Sequence, residues 1–238
     1  MQPHDSKMKD AANHSVIILH GIGAPQRALE AGEDAFWLSK DLFRRTLDQI
    51  ALMGDDAPMI TFDDGNASDI SIAMPELAAR SLTATFFVLT QRLDTPGSLT
   101  SEDVGTLAKA GHAIGLHGHA HVDWRELDEA GRHREFVAAR ARLAELAGYP
   151  IQTAAAPFGL YNRQTIQDLR GLKFDALYTS DRGLADAGRF VRPRNCLEGA
   201  MDQTSLQNAL RGRVPPLRAV RRCLGVARKR LLPVRLRA

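Results

Sequence analysis

Short apolar runs alternate with helical patterns along most of the chain. The runs Val16 to Leu19, Met59 to Phe62, Thr83 to Leu89, His112 to Leu116, Ala154 to Phe158, Ala176 to Thr179 and Phe190 to Arg192 have the length and bounding residues of strands. Between them, Lys40 to Met53 places Leu42, Phe43, Leu47, Ile50 and Leu52 on one helical face, with Ser39 positioned as its N-cap. Ser71 to Arg80, Ser101 to Ala110 and Glu126 to Ala147 read as helices too, the last closed by Gly148 before Pro150. Repeated strand and helix predict an α/β fold whose sheet is largely parallel and wrapped by helices. No repeat of fixed period and no linker before Pro215 interrupts the pattern.

Composition narrows the class without naming a function. A chain of 238 residues can bury the core of one α/β barrel, and 44% hydrophobic with 25% charged residues argues against both a disordered and a membrane-spanning chain. Cys196 and Cys223 are too few for a disulfide framework, which leads us to expect a reduced, intracellular protein. Residues 1–15 are polar, and the apolar run after them is too short for a signal or a span, so we expect a flexible N-terminus and a cytoplasmic location. Residues 211–238 carry nine Arg and one Lys with no acid, leaving 21 basic against 28 acidic residues before them. The expected organisation is therefore a catalytic domain over residues 16–210 and a basic tail over 211–238. Within the tail Leu217, Val220, Leu224, Ala227 and Leu231 recur at helical spacing, while Arg218, Arg221, Arg222 and Lys229 lie mostly off that stripe. Such a segment suits an anionic membrane surface or a solvated basic terminus equally, and its lack of aromatic residues argues against nucleic acid.

The chemistry concentrates where strands end. Asp63 and Asp64 close the run Ile60-Thr61-Phe62-Asp63-Asp64-Gly65, and neighbouring residues of a strand face opposite ways, so two adjacent carboxylates converge only if the backbone bends there. Gly65 permits such a bend. His117, His119 and His121 follow the strand ending at Leu116, His20 follows Leu19, and Pro157-Phe158-Gly159 ends a strand of small residues. In barrels of this class the C-terminal strand ends form the active face. Two imidazoles and a carboxylate with open positions make a catalytic site for Zn²⁺ or a similar ion. His117 and His121 would share a helical face, whereas all three histidines would share a strand face, so spacing alone leaves the ligand set open. An Asp-Gly turn or a helix cap would account for one of the two aspartates, less easily for both.

These residues resemble the polysaccharide deacetylases (NodB-homology, carbohydrate esterase family 4). Thr61-Phe62-Asp63-Asp64-Gly65 is similar to the family's first motif, His117 to His121 to its second, and Ala84-Thr85-Phe86-Phe87-Val88 lies between them as in the family. The resemblance runs from about Val16 to Arg194. It implies an irregular (β/α)7-type barrel with Asp63 as general base and Asp64, His117 and His121 around one divalent ion, Zn or alternatively Co, Ni or Mn. His119 falls on a position the family does not use as a ligand. The third motif, usually Arg-Pro-Pro-Tyr-Gly, is here Ala155-Ala156-Pro157-Phe158-Gly159, without the arginine that steadies the catalytic Asp. A subgroup that includes the poly-N-acetylglucosamine deacetylases has Ala at that place, and Arg194 is our candidate for the missing guanidinium. No histidine follows His133, so the family's C-terminal Leu-x-His is missing. In the same subgroup the fold looks circularly permuted, which would make Ile18-Leu19-His20 the counterpart and His20 the general acid. Pro157 and the backbone N–H of Phe158 would face the substrate and its oxyanion. The implied activity is metal-dependent removal of N-acetyl groups from an amino-sugar saccharide or glycoconjugate. The alternatives are hydrolysis of a small non-sugar amide and a catalytically silent saccharide-binding scaffold.

Overall fold

The computed structural model describes residues 13–215, 219, 223 and 225–229. Residues 1–12, and Leu217, Val220, Leu224 and Leu231 of the expected tail stripe, lie outside the described residues. Strand β1 (His14–Leu19) is followed by helix α1 (Lys40–Ala51), β2 (Met59–Asp64), α2 (Met74–Ala78), β3 (Ala84–Val88), α3 (Ser101–Lys109) and β4 (Ala113–Leu116). Then come α4 (Glu129–Arg132), α5 (Ala139–Ala147), β5 (Thr153–Ala155), α6 (Arg163–Gly171), β6 (Ala176–Thr179), β7 (Leu184–Ala185), β8 (Val191–Pro193), β9 (Asn195–Cys196) and α7 (Gln203–Leu210).

The sheet runs in the order β7-β1-β2-β3-β4-β5-β6-β8 with β9 on β1, parallel except for the β1–β7 pair. β8 pairs with β6 and β9 with β1, and Arg194 alone separates β8 from β9, so the chain itself joins the two ends of the sheet into a nearly closed barrel. Two packed layers follow from the period of two along each strand. Inside the barrel, Val16, Phe87, Ala155, Ala176 and Tyr178 fill a small core. Outside it, Ile60, Phe62 and Phe86 pack with Phe43, Leu47 and Leu77 of the helices. Phe62 stacks on Phe86 at 4.8 Å and meets Phe43 edge-on at 6.2 Å. Each such fully buried ring contributes about 1.5–3 kcal/mol through burial.

The predicted α/β barrel is present, with differences at its joints. The first strand begins at His14, and buried Ser15 donates to the Ala209 carbonyl at 2.9 Å, so the last two residues of the expected N-terminal segment belong to the fold. The strand expected over Ala154 to Phe158 stops at Ala155; Pro157, which lacks an N–H for the ladder, opens a tight turn over Pro157–Gly159. The helix expected from Glu126 starts at Glu129 behind an Asp128 cap and widens into a π-helical stretch over His133–Ala138, which brings Glu135 and Phe136 inward together. A similar π turn over Asp69–Ala73 precedes α2, which ends short of the expected Arg80. Helices α6 and α7 and the short strands β7 and β9 are additional to the sequence pattern. Among the described residues no helix is long and apolar enough to cross a membrane.

Candidate active site

The backbone bend that unites the two aspartates begins one residue before Gly65. Met59 packs on the inner core and Thr61 bonds to Arg194, so Asp63 shares their inward face, whereas Ile60 and Phe62 face the helices and Asp64 leaves on their side. Asp64 itself takes φ +79° and Gly65 φ +74°, which turns the second carboxylate back over the barrel mouth. An αL aspartate is a strained element held by its surroundings, the kind of outlier that collects at functional sites. As a result His117 Nε2 lies 3.4 Å from Asp64 Oδ1 and 4.0 Å from Asp63 Oδ2.

His117, buried, donates through Nδ1 to the Ala155 carbonyl at 2.9 Å, the one partner that can only accept, and this leaves Nε2 facing Asp64. The loop beyond it turns through Gly118 at φ +95°, where a Cβ would come within 2.3 Å of the Glu135 carboxylate. Glu135 is buried and accepts from the main-chain N–H groups of His119 at 2.7 Å and Ala120 at 3.1 Å. That grip shapes the loop so that His121, at φ +52°, swings its Nε2 to 3.5 Å from Asp64 Oδ1. His119 points elsewhere, with Nδ1 2.9 Å from Thr90 Oγ1. Of the histidines whose grouping spacing left open, His117 and His121 are the two brought to Asp64: one potential ligand atom from each of the three lies within 4.8 Å of the others. Asp64 Oδ1 is buried without a hydrogen-bond partner, and both imidazoles have Nδ1 occupied and Nε2 turned toward it. A divalent ion suits this set, because unpaired buried carboxylate oxygen is costly and the three donors are the types Zn²⁺ takes.

Arg194, the candidate for the guanidinium absent from the third motif, reaches Asp63. From the β8–β9 junction it enters the barrel and forks onto Asp63, Nη1 to Oδ1 and Nη2 to Oδ2, both at 2.7 Å. Nη1 also donates to Thr61 Oγ1 at 3.0 Å, and the guanidinium lies 5.0 Å over the Phe87 ring. Burial on its own would raise the Asp63 carboxyl, but Arg194, with His117 beside it, holds it below the ordinary carboxylate range. Burial acts on Asp64 in the same sense and is outweighed by the His117 imidazole first and the other surrounding histidines next, which hold its carboxyl below the ordinary range. For His117 burial opposes protonation, yet the two aspartates raise it above the ordinary imidazole value. In His121 burial prevails and lowers it.

These groups line a cavity of about 310 Å³ at the C-terminal end of the strands, shared with His20, Phe36, Phe158 and Cys196. His20 stands on the inner face at the end of β1, its ring 5.2 Å from Phe36 and its Nδ1 4.0 Å from Cys196 Sγ. Phe158, at φ +57° in the Pro157–Gly159 turn, is half-exposed and lies 4.2 Å from the His121 ring. Gly159 follows at φ +63°, where a Cβ would sit 1.8 Å from Ser180 Oγ. Neither tryptophan faces the cavity: Trp124 is buried against Phe136, and Trp37 packs on Gly21. Lys229, in a helical stretch over residues 225–229, donates to the Gly159 carbonyl at 2.9 Å and to Asp181 Oδ1 at 2.7 Å, so part of the tail touches the turn that carries Phe158. A wider groove of about 580 Å³ along α6 is lined by Arg163, Arg170 and Arg189 with no carboxylate or imidazole, and offers no comparable chemistry.

The nearly closed α/β barrel brings paired aspartates and two histidines together at its mouth. Residues 53–177 match the family model of the polysaccharide deacetylases, and the chain belongs to that family. YheN of Bacillus subtilis (strain 168), whose name carries the same family designation, is 30% identical over 138 residues, 58% of this chain and 48% of YheN. The chain thus spans about half the length of that relative. Among solved structures, the Streptococcus pyogenes deacetylase PplD in complex with acetate superposes with a TM-score of 0.73 at 20% identity, over 83% of this chain and 98% of that one. IcaB from Ammonifex degensii does so with a TM-score of 0.67 at 18% identity, over 86% and 98% respectively. At such identities the two structures attest the shared fold.

Proposed function

We propose that this chain is a metal-dependent de-N-acetylase that converts an N-acetylated amino-sugar residue of a saccharide or glycoconjugate into acetate and the free amine. The observation that carries the reading is the meeting, in one cavity, of Asp63 clamped by Arg194 with the Asp64, His117 and His121 triad. A divalent ion held by that triad, Zn²⁺ being our first choice and Co²⁺, Ni²⁺ or Mn²⁺ the others, would polarise the amide carbonyl and lower the pKa of water. Asp63, kept ionised by Arg194, takes the proton of the attacking water. His20, on the same inward face, returns a proton to the nitrogen as the C–N bond breaks. Phe158 and Pro157 wall the acyl side, and the Phe158 N–H is our candidate for the oxyanion contact. His20 on the first strand is the feature that favours the permuted arrangement of the fold. Arg194 in place of the motif-three arginine speaks against a silent scaffold, since an intact base is retained. The cavity is at the small end of ligand sites, which favours one sugar residue at a time over a bulky polymer segment.

The test pairs bound-metal analysis with acetate release from a panel of N-acetylated saccharides. Wild type should carry about one divalent ion per chain; His121→Ala should lose ion and activity together, His119→Ala should keep the ion, and Asp63→Asn should keep the ion while losing on the order of 10²–10⁴-fold in rate. Loss of metal in His119→Ala with retention in His121→Ala would refute the ligand assignment. We further propose a cytoplasmic enzyme attached peripherally to the inner membrane surface through residues 211–238, where a saccharide under assembly would be in reach.

A further inference from the structure

We propose that Glu30, in the loop between β1 and α1, is a positioning residue that orients His121 for the metal, an inference that rests on the metal-site reading above. Nothing in the sequence marks it, for Glu30 stands 91 residues from His121 in an irregular stretch. Its two carboxylate oxygens lie 3.1 and 3.0 Å from His121 Nδ1. A carboxylate can only accept, so Nδ1 carries the proton and Nε2 is left with its lone pair, directed at Asp64 Oδ1 3.5 Å away. Main chain does the same for the other imidazole, through Ala155 and His117. The two histidines are therefore held in the same tautomer by different means, one from inside the barrel and one from a loop laid over its mouth.

The loop is fastened to the elements that carry the site. Arg27 donates to Asn66 Oδ1 at 2.8 and 3.0 Å, two residues beyond Asp64, and pairs with Glu33. The Glu30 N–H in turn donates to Glu33 Oε2 at 2.8 Å. Arg92, in the turn that follows β3, donates to Glu30 Oε1 and has its other terminal nitrogen 3.8 Å from Asp64 Oδ2. Glu30 is thus gripped between an arginine that also faces one ligand and an imidazole that is another. A side chain 44% exposed would contribute little as an ordinary ion pair. As an acceptor behind a ligating histidine, the same carboxylate typically governs metal affinity by 10–100-fold.

The dissociation constant for Zn²⁺, measured on the full chain by competition with a chelating dye, separates the two roles, with thermal unfolding of the metal-free proteins as a folding control. Glu30→Ala should leave the metal-free melting temperature nearly unchanged and weaken Zn²⁺ binding 10–100-fold. Glu30→Gln retains a side-chain oxygen that can accept from Nδ1 and should recover most of that loss, which a simple charge effect at the rim would not allow. The visible spectrum of the Co²⁺-loaded protein should shift in Glu30→Ala, reporting altered ligand geometry without reference to turnover. Wild-type affinity in Glu30→Ala, while His121→Ala loses Zn²⁺, overturns the role of Glu30 alone. A wild-type chain that binds no Zn²⁺ overturns the metal reading itself.

Discussion

Replacing Arg194 by Met should cost stability in a pH-dependent way, because it strands a buried charge. The side chains of Arg194 and Asp63 are 1% and 5% exposed and meet through two hydrogen bonds of 2.7 Å. Removing one partner of a buried pair typically costs about 3–5 kcal/mol, which for a domain of this size lowers the melting temperature by roughly 6–20 °C. The sign follows from the direction of the Asp63 shift. In the wild type its folded carboxyl lies below the unfolded value of about 3.9, so its stabilisation is present above that pH and fades as pH falls further. Without Arg194 only the neighbouring histidines oppose burial, so the folded carboxyl shifts toward its protonated form and stability is lost as pH rises. The deficit of Arg194→Met should therefore be small near pH 4 and widen toward pH 7, read by circular-dichroism melts of chelator-treated protein. The double variant with Asp63→Asn should be more stable than the sum of the single effects, since no charge is left uncompensated. A deficit below about 1 kcal/mol, or one that does not change with pH, would refute the view that Arg194 exists to hold Asp63 ionised.

Asp69 is fully buried, and neither of its oxygens has a hydrogen-bond partner; burial first, and Asp64 second, push its carboxyl well above the ordinary range. Stability tied to its protonated form is complete below the unfolded pKa and lost as pH rises, so Asp69→Asn should stabilise the chain at pH 7 by about 1–3 kcal/mol and much less near pH 4. A lower melting temperature for Asp69→Asn at pH 7 would mean that the carboxylate has an accepting role. For the tail, the full chain should sediment with anionic vesicles at low salt and a chain ending at Leu210 should not, since each Lys or Arg near such a surface can contribute about 1 kcal/mol. Lys229 is already engaged by Asp181, so it should add less than its neighbours. If both forms stay in the supernatant, the tail serves a contact other than lipid.

The sequence determined what was local. Period-two apolar runs and helical faces are written in neighbouring residues, so the βα succession, the Ser39 cap on α1 and the crowding of Asp, His and Gly at strand ends could be read before any coordinates. Asp63 and Asp64 beside Gly65 foretold a bend, though not that Asp64 would make it. Which histidines face Asp64 was left undecided by spacing, because a loop held by Glu135 follows neither strand nor helix periodicity. Arg194 could be named as a candidate, but its fork on Asp63 depends on the barrel closing between β8 and β9, more than a hundred residues away along the chain. Glu30 and Arg92 had no local signal at all. Their contacts arise where three separate strand ends are brought to one mouth, and side-chain chemistry that depends on such non-local closure is decided by the tertiary structure.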